Sequence, residues 1–218
     1  MVIAPIKIET LASGRPWTNW AVMAVYGAVF FLGGDVQMEP LALDRPFSLV
    51  TSLFYHAQVA YFAYSLLLLW VFGNVLCRSV GGVLYLHIFL ASGVVGSVMG
   101  LLVAGAAMPG AVGAAHGVAA AVVALYPLNE ATLLFLGRGG AGVYHVPLWM
   151  AGLGWLGICI FVALLQVSWL PWWPFVGGML AGSIAGVLLP ATGMFDRVRD
   201  ENPTLWDLLV RPSREGRR

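Results

Sequence analysis

Residues 49–76 read LVTSLFYHAQVAYFAYSLLLLWVFGNVL. From Gln58 to Leu76 the run has no charged side chain. As a helix rising 1.5 Å per residue it covers about 28 Å, close to the ~30 Å hydrocarbon core of a bilayer. Working outward, five more segments have the same character: Trp17–Gly33, Val80–Ala104, Gly113–Leu125, Val146–Val167 and Pro174–Leu189. Pro16 is well placed at the first turn of the first of them. Of 218 residues, 60% are hydrophobic and 10% charged, with a mean hydropathy of +0.87, whereas a soluble domain carries about 25% charged residues. A surface so poor in charge needs lipid as its solvent. The expected fold class is an all-α, polytopic membrane protein, a bundle of six transmembrane helices over residues 17–190. An N-terminal segment, 1–16, precedes it. A polar tail, 191–218, follows and holds one small amphipathic stretch, Leu205–Val210. No small-residue cleavage site follows Trp17–Leu32, so the first helix reads as retained.

Basic residues collect on cytoplasmic loops. With both termini cytoplasmic, Lys7, Arg15, Arg78, Arg138 and the tail arginines lie inside. Arg45 lies outside, so ten of the 11 basic residues obey the rule. An even number of spans follows, and few cysteines with a retained first helix suit a bacterial inner membrane. A net charge of +1 without a basic stripe argues against a nucleic-acid partner. Cys77 and Cys159 have no metal-ligand spacing. Asp35, Glu39 and Asp44, in the first outer loop, lack the spacing of a calcium loop, so no metal is expected. Glu130 reads as a solvated loop residue. The last eight residues, RPSREGRR, read as a soluble end or an anionic-lipid contact.

The fourth segment is too short to cross alone. Met108, Pro109 and Gly110 put irregular backbone ahead of it at membrane depth, which is tolerated only when protein shields it or it lines a wet cavity. A cavity opening outward near Gly113 is therefore expected. Small residues recur every four positions: Ser92, Gly96 and Gly100; Gly113, Gly117 and Ala121; Gly178, Gly182 and Gly186. Lipid supplies no hydrophobic force between helices, and such ladders let backbones approach closely instead. They predict helix packing within a compact bundle, or else oligomer contacts. Trp149, Trp169, Trp172 and Trp173 stand near helix ends, as interfacial tryptophans do.

The opening stretch resembles the loop-one end and second helix of the rhomboid intramembrane proteases. Thr51-Ser52, Phe54 and His56 match that family's Thr-Ser-x-Phe-x-His motif. Phe72-Gly73 matches the aromatic–glycine end of its second helix, and Arg78 with Gly81-Gly82 its short cytoplasmic turn. YLHIFLASGVVGSVMG (85–100) is similar to the family's third helix. GAAHGVAAAVVALYP (113–127) stands where its Gly-x-Ser-Gly helix falls, and FVGGMLAGSIAG (175–186) resembles its His-x-Gly-Gly-x-x-x-Gly helix. The match covers about Trp17–Leu189 and implies a six-helix rhomboid-like bundle.

Within that resemblance, Ala115 stands where the nucleophilic serine would be and Phe175 where its partner histidine would be. The family's oxyanion histidine and asparagine fall at Tyr61 and Ser65, both still able to donate hydrogen bonds. Arg45-Pro46 is the nearest thing to the Trp-Arg pair of the first outer loop. Alanine offers no nucleophile and phenylalanine no base, so the resemblance implies a pseudoprotease and not an enzyme. A displaced dyad is disfavoured. His116 is expected to face about 100° away from the nucleophile position. Ser183 lies about 12 Å along the axis from Phe175. No serine occurs from Val98 to Val167. A hydroxyl and an imidazole in contact inside the bundle would overturn this reading.

Together with Gly113, two histidines are candidates for the cavity. His116, costly at membrane depth unless paired, reads as a neutral ring bonded to a neighbour or to cavity water. Its alternatives are a contact to a client helix, or ligation of a haem or chlorophyll-type pigment with His87 as a conceivable partner. His56 reads as a loop-anchoring residue at the cavity's outer edge, and His145 as a wet residue at the cytoplasmic start of the fifth helix. Gln58 and Asn74 read as capping or snorkelling. The resemblance then implies a protein that binds transmembrane helices of client or partner proteins without cleaving them and needs no cofactor. Recognition would use the cavity and the lateral gap between helices two and five. The alternatives are an accessory subunit of a larger photosynthetic or respiratory membrane complex, and an active intramembrane serine protease with displaced catalytic residues. No acidic residue lies mid-membrane, which disfavours a transporter.

Overall fold

A computed structural model describes residues 2–32, 48–56, 58–104, 110–137, 140–164, 172–195 and 202–210. The helices are α1 (Trp17–Leu32), α2 (Val59–Val80), α3 (Gly82–Ala104), α4 (Ala111–Leu125), α5 (Leu148–Leu164), α6 (Trp172–Thr192) and a short α7 (Leu205–Val210). Two helical turns, Ser48–Thr51 and Ser52–Phe54, precede α2. α2, α3 and α6 are each long and apolar enough to cross a membrane, and α1, α4 and α5 are shorter apolar helices. The chain is a polytopic membrane protein.

α4 is the axle of the bundle. Its residues 111–118 are buried without a break, because α3 and α6 close on it through small side chains. A Cβ on Gly178 would meet the Gly113 carbonyl, one on Gly182 the Gly117 carbonyl, and one on Gly186 the Ala121 carbonyl. On the α3 side Gly96 lies against Gly113 and the Pro174 carbonyl, and Gly117 against Ser92. Gly100 is buried too. The three ladders thus interlock, trading side-chain volume for backbone contact. Among the described residues, Gly113 lies against the Pro174 carbonyl and Gly96.

A second lock ties α1 to α2 and α3. The middle of α2 widens into a π-helical turn, Leu69–Gly73. Asn19 of α1 enters there, donating to the Leu69 carbonyl and to Asn74 Oδ1, both at 2.9 Å. Tyr85 of α3 donates its hydroxyl to Asn19 Oδ1 at 2.6 Å, and Trp20 Nε1 donates to Asn74 Oδ1 at 3.1 Å. Gly73 is glycine because a Cβ would strike the Asn19 side chain. Asn74 is therefore a buried network member rather than the capping or snorkelling residue expected. Gln58, at the N-cap of α2, makes no side-chain capping bond.

The all-α expectation fails at one end of the bundle. Val2–Ile8 (β1), Glu130–Gly137 (β2) and Gly140–Pro147 (β3) form an antiparallel sheet in the order β1-β2-β3. Ile3 pairs with Phe135, and Phe135 with Gly142. The turn closes on Gly140 at φ +121°, a backbone conformation that costs glycine little. Glu130 thus opens a strand, where it is exposed. His145 is an exposed strand residue, its Nδ1 3.3 Å from Thr132 Oγ1, and not the start of a helix. Asn129 gathers the ends of the chain. It donates to the Glu9 carbonyl at 2.7 Å and accepts from Asn202 at 3.3 Å, while its carbonyl takes the Leu148 amide at 2.8 Å. α7 starts with a capping box between Thr204 and Asp207. Asp35, Glu39, Asp44, Arg45, Met108, Pro109, Arg138, Trp169, the Cys159 side chain and the final arginines lie outside the described residues.

Candidate functional site

The ring lying against Phe175 is that of His116. Their planes are 16° apart and their centroids 4.4 Å. The expectation that His116 turns away from this seam is therefore corrected. It projects from α4 toward α6, with 1% of its surface exposed, while Ala115 is fully buried. The physical reason is register. In a helix made of alanine and glycine, Gly113-Ala114-Ala115-His116 and Ala114-Ala115-His116-Gly117 fit the Gly-x-Ser-Gly pattern almost equally. The closely packed glycine of the second reading is Gly117, which lets α4 approach Ser92 and Gly178.

Both His116 nitrogens are engaged. Nδ1 lies 2.7 Å from the Val112 carbonyl, which can only accept, so Nδ1 carries the proton. Nε2 lies 3.1 Å from the Tyr64 hydroxyl of α2. Burying a charge is costly, so the ring is neutral and the phenol donates to Nε2. Tyr64 stacks on Trp155 of α5 with centroids 5.6 Å apart and planes at 18°. Trp155 also leans on His116 at 6.1 Å, and Trp172 meets Phe175 edge-on at 5.9 Å. Five rings from α2, α4, α5 and α6 therefore form one cluster. A hydroxyl and an imidazole do touch inside the bundle, the contact named above as counting against the pseudoprotease reading; the hydroxyl is a phenol from the second helix and not a serine.

The remaining candidates are scattered. Ser183 is half-buried on α6, two turns beyond Phe175, and the His116 nitrogens are already taken. His87 is exposed and bonds the Val83 carbonyl of its own helix at 2.8 Å, so it is no partner for His116. Tyr61 is half-buried. Ser65 is fully buried, and its hydroxyl finds no hydrogen-bond partner among the described residues. His56, just before α2, is buried edge-on between Tyr26 at 4.6 Å and Phe62 at 5.7 Å. Neither of its nitrogens makes a well-formed hydrogen bond among the described residues, and packing between these two rings holds it before α2. Burial pushes its imidazole down to about 4, with the backbone at Phe54 opposing the shift. Tyr64 and Trp155 were not singled out from sequence; an aromatic on each side of the gap between helices two and five was the available signal.

A helical membrane bundle with glycine-locked central helices defines the class, and comparison places it further. The family model described as "Rhomboid domain" matches residues 44–192, and the chain belongs to the rhomboid family. It is similar to "Rhomboid protease GluP" of Bacillus subtilis (strain 168), at 26% identity over 202 residues. That match covers 85% of this chain and 38% of the relative, so the chain spans well under half of the curated protein's length.

Proposed function

We propose that this chain is a catalytically inactive rhomboid relative that holds transmembrane helices of client proteins without cutting them. In this reading all six apolar helices cross the membrane and both termini lie on the cytoplasmic side. The observation that carries the reading is the His116–Phe175 stack, where two rings meet at the seam that needs a serine and its base. The gap between α2 and α5 is bridged by the Tyr64–Trp155 stack. Separating those two rings would open a lateral slot lined by His116. Both His116 nitrogens are occupied within the protein, which disfavours a haem or chlorophyll-type pigment there.

The Tyr64–His116 contact favours a second reading, a hydrolase whose nucleophile is a phenol. Leaving-group chemistry weighs against it. A tetrahedral adduct of tyrosine with an amide would expel phenoxide, of pKa near 10, more readily than an amine. Purified protein incubated with labelled single-span proteins is expected to yield no fragments, while a photocrosslinker placed at Trp155 captures the intact proteins. Fragments that disappear in Tyr64→Phe would overturn the inactive reading in favour of the second.

A further inference from the structure

The hydrogen bond between Tyr64 and His116 sets what kind of helix the slot accepts. Because Nδ1 is committed to the Val112 carbonyl one turn back, Nε2 is an acceptor and nothing else. In the closed bundle Tyr64 supplies its donor. Tyr64 also forms one side of the stack across the gap, so the motion that admits a client withdraws the donor. An all-apolar client would then leave a buried imidazole nitrogen unpaired, which is unfavourable. A client carrying an amide or hydroxyl at that depth would replace the phenol. We infer that the protein selects transmembrane helices bearing a hydrogen-bond donor, such as asparagine, glutamine or serine, at the depth of His116, with Nε2 as the acceptor that reads it.

The inference rests on the client-holding reading and adds the chemistry of the client. His116 makes contact with the helix it selects, whereas Tyr64 is the competitor displaced. The orphaned Ser65 hydroxyl, one residue from Tyr64 on α2, is a second buried polar atom on the helix that would move.

The test uses the full chain in lipid vesicles at a low peptide-to-lipid ratio. Two labelled polyleucine single-span peptides are compared by energy transfer from a donor dye on the protein, one with a central asparagine and one with leucine. The asparagine peptide is expected to bind about tenfold more tightly, the scale of one interhelical hydrogen bond in lipid. His116→Leu should bring the two affinities together. Tyr64→Phe keeps the ring stack and removes the competing donor from the closed bundle, the common starting state, so both peptides should bind more tightly and the preference should persist. Equal affinities in the unaltered protein, or a preference that survives His116→Leu or vanishes in Tyr64→Phe, would overturn the selection rule while leaving client binding intact. Failure of both peptides to bind would overturn the client-holding reading and this rule together.

Discussion

Gly182→Ala adds one methyl group to the tightest seam in the molecule. Its carbon would lie 2.5 Å from the carbonyl carbon of Gly117 and 2.6 Å from its Cα, with the carbonyl oxygen closer still. Non-bonded carbons rest at about 3.5–4.0 Å, so α4 and α6 must part by roughly 1 Å. The obstacle is backbone, and no rotamer change relieves it. Overpacking costs typically ~1–3 kcal/mol, and this site belongs at the upper end. Alanine recovers up to about 1 kcal/mol through helix propensity, leaving a net loss of roughly 2 kcal/mol. Gly157→Ala on α5 is the control, since nothing among the described residues lies within 4 Å of the added carbon. That variant should be neutral or stabilised by up to ~1 kcal/mol. Unfolding in mixed micelles of rising SDS fraction, followed by far-UV circular dichroism, would compare the two. If Gly182→Ala unfolds at the same SDS fraction as Gly157→Ala, the seam is not the backbone contact described and the reasoning fails.

Two further outcomes follow from buried polar groups. Asn19→Leu strands the Tyr85 hydroxyl and removes the donor to the Leu69 carbonyl, which should lower stability by about 2 kcal/mol. In the same SDS titration, adding Tyr85→Phe should cost less than its separate effect, because the two side chains share one network. His56 is held neutral by burial, with its folded pKa depressed from 6.5 to about 4. Between those values the unfolded chain binds the proton and the folded one does not, so stability falls as pH drops from 6.5 toward 4. The loss is fully developed below about 4, where it reaches roughly 3 kcal/mol. His56→Phe should flatten that slope. An unchanged pH profile would show that His56 is hydrated rather than buried.

The helices were legible because a bilayer writes its thickness into the sequence. Gln58–Leu76 and the other apolar runs locate α1 to α6 to within a few residues at most ends. The sheet was not read, although a signal existed. Gly137, Gly139 and Gly140 separate two apolar runs, 131–136 and 141–147, in the manner of a hairpin. β1 was harder, since its partner lies more than 120 residues away and Pro5 interrupts its pattern. The site was half legible. Phe175 stands on α6 facing α4 as the resemblance implied. That the ring facing it on α4 is His116 was not legible, because alanine and glycine repeat too evenly there to fix a register. Packing decides it, and packing is a property of three helices together.

If His116 and Phe175 occupy the family's dyad positions, as the proposed function holds, the two side chains make sense as a pair. A histidine on α4 is longer than a serine and would collide with, or be stranded by, a second polar ring on α6; a phenyl ring gives it a flat apolar surface to stack on. With Phe175 beneath it and Nδ1 bonded to the Val112 carbonyl of its own helix, the imidazole reaches across with Nε2 to Tyr64 on α2. The polar contact thus lies between α4 and α2 and not between α4 and α6. The α4–α6 seam is fixed by glycine ladders, backbone against backbone, and cannot open without dismantling the core. Side-chain stacking across the α2–α5 gap can be undone ring by ring. A hydrogen bond placed on the rigid seam would stabilise the fold and do little else. Placed at the separable one, it would be broken and remade each time a helix entered under the proposed function, which is the condition for it to choose between helices.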